Sequence, residues 1–384
     1  MSYPRKLVLL GATGSIGKST LQVIRKHPEK LKLIGASANS RAEELFEIAS
    51  EFDVQRINLT KPASSKLTPP GQIDFSCGEV ELSQLASWGE ADLVVVAVVG
   101  AAGLAPTLAA LEAGKDVILA NKESLVVGGK LVMETAKRTG AQIIPADSEH
   151  NAVFQCLHGQ HENSLDSIAL TASGGPFRDR PLSELDHVTP KEATNHPNWS
   201  MGPKITVDSA TMANKGLELI EAQWLFNLPP EKLNVLIHPP SLVHAIVRFT
   251  DGCSFAQISP PCMTFALQNS LLYPERSPGV VPGLDLSQSL ELSFYPPDMK
   301  RYPCLRLARK CMEEGKSAPL VFNAANEIAV EAFLANRIGF TRISDIIENT
   351  LNQFDHQPAH SLKELLGLDN IARDMARDQV VRAS

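Results

Sequence analysis

Residues 7–10 form a short unbroken apolar run, and Gly11-Ala12-Thr13-Gly14-Ser15-Ile16-Gly17 behind it opens a helical pattern over about 18–26. A second apolar run at 31–36 completes a strand–helix–strand unit. Runs at 93–99 and 116–119 read as further strands, with a helix over 106–113 between them, and 142–145 as another. Such runs, apolar without alternation, belong to a parallel sheet covered on both faces. Beyond 150 the pattern mixes helices with β-like runs at 167–171, 235–237 and 245–250. A helix starting near Ser209 would put Thr211, Asn214, Lys215 and Glu218 on one face and Ala213, Leu217, Ile220 and Trp224 on another. Residues 273–303 are rich in Pro, Gly and Ser and read as an extended linker. The pattern from Cys304 onward is helical, clearest over 323–334.

The expected fold class is therefore α/β, with an N-terminal Rossmann-like doubly wound domain, a central α/β catalytic domain and a C-terminal helical domain. The expected boundaries are 1–146, 147–272 with a lid over about 174–203, the linker 273–303, and 304–384; 384 residues suit two or three domains. Lys and Arg number 36 against 43 Asp and Glu, so the formal charge of −7 argues against a nucleic-acid partner. It leaves room for a phosphate ligand, which needs only local donors. The six cysteines include no C-x-x-C pair, which suits reduced thiols in a cytoplasm and opposes a cysteine zinc site. The apolar run 93–99 is too short to cross a membrane, and the six residues before the first strand leave no room for a signal peptide.

Gly11-x-x-Gly14-x-x-Gly17, after a strand and before a helix, is a variant of the dinucleotide-binding loop: glycines admit the backbone to a pyrophosphate, and the helix N-terminus faces it. A rival lies in the same stretch, because Ala12 to Ser19 reads A-x-x-x-x-G-K-S, one glycine short of a nucleoside-triphosphate loop. That rival needs an Asp closing a later strand, where the run 93–99 meets Gly100. After the second strand come Asn39, Ser40 and Arg41, with no acid until Glu43. A cation with small polar groups there favours a 2′-phosphate, hence NADPH; an ordinary surface arginine is the alternative.

Asp147 and Glu149 follow the strand at 142–145, at the edge where ligands of open α/β sheets bind. Two apart in an extended segment, they would point the same way. With Glu218 they make a three-carboxylate set suited to Mg2+ or Mn2+, with Co2+ a third candidate; Ser148 between them also suits a cap for a helix starting near His150. Ser173, Ser209, Asn214 and Lys215 offer neutral donors and one ammonium, a cradle for a phosphate dianion. The expected lid carries His196, Trp199 and Met201, the last two able to shed water over a substrate. Lys122 would set positive charge near a carbonyl or enolate. His238 and His244 are candidates for the site wall, with satisfied core histidines the plainer reading.

Gly-x-Thr-Gly-Ser-Ile-Gly, Ala-Asn-Lys-Glu-Ser, Pro-x-Asp-Ser-Glu-His, Ser-Gly-Gly-Pro-Phe-Arg, His-Pro-Asn-Trp-x-Met-Gly and Val-Asp-Ser-Ala-Thr-Met-x-Asn-Lys-Gly-Leu-Glu stand here in order. Together they resemble the 1-deoxy-D-xylulose 5-phosphate reductoisomerase family. The resemblance implies a homodimeric enzyme that uses NADPH and a divalent metal to make 2-C-methyl-D-erythritol 4-phosphate for non-mevalonate isoprenoid synthesis. It implies Asp147, Glu149 and Glu218 as metal ligands, and Lys122, Glu149 and His196 as the catalytic candidates. Ser148, Ser173, His196, Ser209, Asn214, Lys215 and Lys122 become substrate contacts. Thr13, Gly14, Ser15, Ile16, Asn121, Glu123 and Gly202 fall on cofactor positions. Ala12, the segment 39–41 and Pro240 depart from the family pattern; Ala12 is harmless in a loop that works through its backbone. A phosphate-loop kinase, a non-catalytic dinucleotide-binding module and a cysteine-dependent semialdehyde dehydrogenase are the other readings.

Overall fold

The computed structural model describes residues 4–61, 68–199 and 201–383; Ser200 of the expected lid lies outside them. The chain divides into two compact units, one of residues 1–124, 132–151 and 262–283, the other of 125–131, 152–261 and 284–384.

The first unit carries β1 (Arg5–Leu10), α1 (Ser15–Lys26), β2 (Leu31–Ala38), α2 (Ala42–Glu51), β3 (Arg56–Leu59), β4 (Asp74–Cys77), α3 (Glu79–Ala86), β5 (Leu93–Val96), α4 (Leu104–Glu112), β6 (Asp116–Leu119), α5 (Glu123–Thr139) except its residues 125–131, and β7 (Ile143–Pro145). All seven strands pair in parallel, in the order β4-β3-β2-β1-β5-β6-β7. Residues 7–10 and 93–96 are fully buried, as the unbroken apolar runs require. The order reverses at β1, flanked by β2 and β5, and the crevice at that switch point is where a doubly wound sheet binds its ligand. The doubly wound expectation holds. The run expected to continue as strand to residue 99 stops at Val96, and Val99 is exposed.

In the second unit, β8 (Leu165–Ala172) stands between β9 (Leu233–Ile237), its parallel partner, and β10 (Val243–Phe249), which also pairs antiparallel with β11 (Ser254–Ile258). α6 (Ser148–Leu157) precedes this sheet, and α7 (Pro190–Ala193), α8 (Pro203–Thr211) and α9 (Ala213–Phe226) lie between β8 and β9. The single helix expected from about Ser209 is thus two helices. Met212, in the left-handed region at φ +59°, breaks the chain between them, so Ser209 ends α8 instead of opening the face that carries Asn214.

After β11 the chain returns to the first unit with α10 (Met263–Leu272), which packs on α1. Arg5 Nη1 donates to the Leu271 carbonyl at 3.3 Å, and Ser270 Oγ to the Pro145 carbonyl at 2.8 Å. The compact units therefore differ from the expected division, which grouped 262–272 with the catalytic domain. α11 (Pro303–Glu314), α12 (Ala318–Leu334), α13 (Arg342–Gln353) and α14 (Leu362–Ala383) form a helical layer of the second unit. Gly216 lets α9 approach α11: a Cβ there would come within 2.6 Å of the Ala308 Cβ. Among the described residues no helix is long and apolar enough to cross a membrane.

Candidate active site

The glycine loop sits at the sheet's switch point. Gly11, at φ +87°, brings the backbone so close to the strand-end segment after β5 that any Cβ would run into the Ala97 carbonyl. A Cβ on Gly17 would meet the carbonyls of Gly11 and Ala12, so that position also admits glycine alone. Gly14 is the N-cap of α1 and its own N–H is taken by the Gly11 carbonyl at 3.0 Å; no side chain caps the helix, so Thr13, Ser15 and Ile16 offer the backbone N–H groups of the cradle that Gly14 shapes. Those residues fit a pyrophosphate. Asn39 and Ser40 follow β2, and Arg41 is the N-cap of α2. Its Nη1 lies 3.0 Å from Glu44, which also pairs with Lys18 at 2.8 Å.

At the ends of β5 and β6, Asn121 is buried and its amide donates to the carbonyls of Val98 at 2.8 Å and Gly100 at 2.9 Å, and to Glu123 at 3.0 Å. Its side chain knots the two strand ends together. Lys122 is the N-cap of α5, and its ammonium lies 2.7 Å from Asp147 Oδ2. Burial works against ionisation of Asp147, but Lys122 and His150, 3.6 Å away, overcome it and hold the carboxyl well below the usual range. A half-buried carboxylate kept ionised is the form that a cation ligand requires. Asp147 and Glu149 do not lie in an extended segment as the spacing argument assumed. α6 begins at Ser148, so Glu149 stands in a helical first turn, where the helix dipole favours a carboxylate. Ser148 is the first helical residue and not the cap; its hydroxyl donates to Glu149.

In the second unit β8 delivers Ser173 into a turn of two left-handed glycines, Gly174 and Gly175. His196 Nδ1 accepts from the backbone N–H groups of Asn198 at 3.1 Å and Trp199 at 3.0 Å. An acceptor nitrogen carries no proton, so the proton sits on Nε2, which donates to Ser173 Oγ at 2.9 Å. Burial lowers the His196 pKa to about 4, and the ring stays neutral at physiological pH. Ser173 Oγ also accepts from Gly175 N–H at 3.1 Å. With both bonds taken as acceptor, the hydroxyl of Ser173 is set up to donate its own proton. The turn rests on the end of α8: a Cβ on Gly175 would lie 2.7 Å from the Ser209 carbonyl oxygen.

In the first turn of α9, Lys215 pairs with Glu218, and Asn214 donates to the same carboxylate. Lys215 and Glu218 are both buried, an unusual place for charge that only mutual pairing or a ligand sustains. Thr211, expected to share their face, belongs instead to α8 and bonds to the Asp208 carbonyl. Within the expected lid, residues 182–187 form a 3-10 turn and Thr189 and Glu192 make a capping box for α7. Asn198 donates to the Pro239 carbonyl at 2.7 Å and to Ser241 Oγ at 2.8 Å, and the Trp199 ring meets His244 edge-on at 6.1 Å. Met201 is half-buried and Gly202 is the N-cap of α8. His238 is a core histidine, stacked on Phe294 with Nδ1 2.8 Å from the Ser293 carbonyl. Sequence reasoning missed Asp208, buried between Lys204 at 2.8 Å and the Asn326 amide at 2.9 Å, and it missed Tyr302, whose hydroxyl reaches Gly174.

Residues 7–129 match the family model described as 1-deoxy-D-xylulose 5-phosphate reductoisomerase, 143–226 the model of that enzyme's C-terminal domain, and 258–375 that of a DXP reductoisomerase C-terminal domain. The chain is 47% identical to the 1-deoxy-D-xylulose 5-phosphate reductoisomerase of Pseudomonas putida, over all of this chain and 98% of the relative. The chain belongs to the 1-deoxy-D-xylulose 5-phosphate reductoisomerase family. The Idiomarina loihiensis relative is 46% identical over 96% of this chain and 97% of its own length. A solved structure of DOX-P reductoisomerase in complex with NADPH, fosmidomycin and magnesium superposes with a TM-score of 0.90 at 40% identity, covering 98% of each chain. The Zymomonas mobilis enzyme in complex with NADPH superposes with a TM-score of 0.91 at 40% identity, over 98% of this chain and 99% of that one.

Proposed function

We propose that this chain is an NADP-dependent oxidoreductase that isomerises and reduces 1-deoxy-D-xylulose 5-phosphate to 2-C-methyl-D-erythritol 4-phosphate in isoprenoid synthesis, with NADPH and Mg2+ as cofactors. The observation that carries the reading is the polarity of the Ser173 turn: a neutral His196 and Gly175 N–H both donate to its hydroxyl and leave it its own proton to give. That is the arrangement a phosphorylated substrate needs. In this reading Ser173, Ser209, Asn214 and Lys215 hold the phosphate, and Trp199 and Met201 shed water over the sugar. Asp147, Glu149 and Glu218 are the carboxylates that hold the cation, with Ser148 beside them at the substrate. Thr13, Gly14, Ser15 and Ile16, with Asn121, Glu123 and Gly202, border the cofactor, and Asn39, Ser40 and Arg41 face its 2′-phosphate.

When bound, the cation supplies a Lewis acid for the carbonyl and neighbouring hydroxyl oxygens, and NADPH supplies the hydride. The protein's own groups do the rest by binding and charge. Lys122 keeps Asp147 ionised and adds positive charge where the substrate carbonyl gains negative charge. The phosphate cradle supplies binding energy remote from the reacting carbons, which fixes the sugar's position. The kinase reading finds no support: no acid closes the strand after Val96, where the chain meets Gly100, and the chain belongs to the reductoisomerase family over its whole length. A homodimer in the cytoplasm completes the proposal: family resemblance supports the dimer, and six free cysteines, two of them fully buried, suit a reducing compartment. Glu218→Gln keeps the side chain's shape and removes its charge, so turnover should vanish while NADPH binding persists. Near-normal turnover at low Mg2+ in that variant would remove Glu218 from the metal set.

A further inference from the structure

The conformation of the Ser173 turn is imposed from outside it. Gly174 at φ +84° and Gly175 at φ +72° follow one another, and a glycine pair has little preference of its own. Three side chains hold the backbone around it. Arg178 Nη1 donates to the Ser173 carbonyl at 2.8 Å. Tyr302 Oη donates to the Gly174 carbonyl at 2.9 Å. Arg301 Nη1 donates to the carbonyls of Phe177 at 2.9 Å and Arg180 at 2.7 Å. Arg301 and Tyr302 are consecutive, and Tyr302 is the N-cap of α11, far along the chain from the turn it grips. The Tyr302 ring is 3% exposed, and burial pushes its pKa up to about 12, so the hydroxyl remains a donor throughout the working range. The Phe177 ring, meeting Phe340 edge-on at 5.2 Å, anchors the same stretch against the helical layer.

We infer that Tyr302 is a positioning residue for substrate binding: by holding the Gly174 carbonyl it sets the direction in which Ser173 offers its hydroxyl to the substrate phosphate, and Arg301 fixes the far side of the turn. The residue does not itself touch substrate. Its hydroxyl is the side-chain donor that holds the Gly174 carbonyl, and an acceptor buried there has no water to replace it. Without the hydroxyl, the two glycines can swing, and Ser173 Oγ leaves the bond from Gly175 N–H that fixes its polarity. Tyr302 thereby makes the C-terminal helical layer a working part of the phosphate site. The inference rests on the phosphate role given to Ser173 above.

The test compares binding of two metal-chelating substrate mimics, one with a phosphonate group and one lacking it, in the presence of Mg2+ and NADPH. Tyr302→Phe should weaken the phosphonate mimic about tenfold, the cost of one lost hydrogen bond with its acceptor left buried. The mimic without phosphonate should change less than about twofold, since nothing in it meets Ser173. A purely structural tyrosine would weaken both alike, because a loosened fold does not distinguish them. Arg301→Met should shift the same ratio in the same direction, and it carries the test if Tyr302→Phe does not melt cooperatively. Ser173→Ala is measured alongside. If Ser173→Ala changes the ratio and neither clamp variant does, the positioning role is overturned. If Ser173→Ala leaves the ratio untouched, the phosphate reading of Ser173 falls, and this inference with it.

Discussion

Gly175→Ala should damage substrate binding far more than NADPH binding, and the size of the effect follows from the geometry. Gly175 sits at φ +72°, where an L side chain costs about 1–2 kcal/mol. The added Cβ would lie 2.7 Å from the Ser209 carbonyl oxygen and 2.8 Å from the Ala210 Cα, both backbone atoms at the end of α8. Neither can turn aside as a side chain would, so the turn and the helix end must separate by several tenths of an ångström. Overpacking of this kind adds roughly 1–3 kcal/mol. The total of about 2–5 kcal/mol leaves the protein folded but less stable, if the parent has ordinary stability. Because Gly175 N–H donates to Ser173 Oγ, the displacement passes directly to the phosphate donor. KM for substrate should rise about tenfold or more, equivalent to about 1.4 kcal/mol, with NADPH affinity unchanged. Gly174→Ala is the control. It carries the same left-handed strain at φ +84°, but the atoms nearest its Cβ belong to the Arg178 side chain, at 2.9 Å, so it disturbs the turn through the Arg178 bond to the Ser173 carbonyl and not by pushing on the end of α8. Urea denaturation and steady-state kinetics of both variants decide the matter. Equal losses in the two would show that contact with Ser209 plays no part, and a Gly175→Ala protein with parental stability and KM would refute the reasoning.

A proton titration of the His196 ring by NMR should show a neutral imidazole down to about pH 5, because burial lowers its pKa to about 4. Since the folded pKa lies below the unfolded one, this group's contribution to stability is present at neutral pH and declines as pH falls from about 6.5 toward 4; a ring titrating near 6.5 in the folded protein would contradict both statements. Arg41→Asp should raise the KM for NADPH and shift preference toward NADH, because an acid repels the 2′-phosphate and accepts from a ribose hydroxyl; equal KM values for the two cofactors in the unmodified protein would count against the assignment. Trp199→Ala should lower kcat/KM more than it lowers Tm, since the ring stands in a loop and meets His244 edge-on; a fall in Tm with unchanged kinetics would make the ring simple packing.

Much of this architecture is written in local pattern. β1, β5, β6 and β7 were legible because strands buried on both faces are largely apolar runs, and β2 because Leu31 to Ala36 is interrupted by a single exposed Lys32. β3 and β4 escaped because Arg56-Ile57-Asn58-Leu59 and Asp74-Phe75-Ser76-Cys77 are short and half polar, and only pairing makes strands of them, β3 with β2 and β4 with β3. The break at Met212 was also hidden. The helical spacing from Ser209 to Trp224 is continuous, and methionine gives no sign of a left-handed residue, so tertiary packing of α8 and α9 overrides the local preference. The return of residues 262–283 to the first unit depends on long-range bonds such as Ser270 to Pro145, which leave no mark on local periodicity. Of the candidate site, residue types and order picked out the carboxylates, the serines and Lys215 as candidates. They could not reveal that Lys122 reaches Asp147, that Ser173 is polarised by His196, or that Tyr302 reaches back to Gly174, because those relations exist only after folding.

Turnover with NADPH deuterated at the transferable position tests the central claim most directly. Incubated with 1-deoxy-D-xylulose 5-phosphate and Mg2+, the protein should yield one NADP+ for each 2-C-methyl-D-erythritol 4-phosphate formed, with the branched skeleton carrying one deuterium by mass spectrometry and NMR. Removing the cation with a chelator should stop both products together, and restoring Mg2+ should recover them together. Oxidation of NADPH that leaves the sugar's carbon skeleton straight, or a branched product without deuterium, would contradict the account.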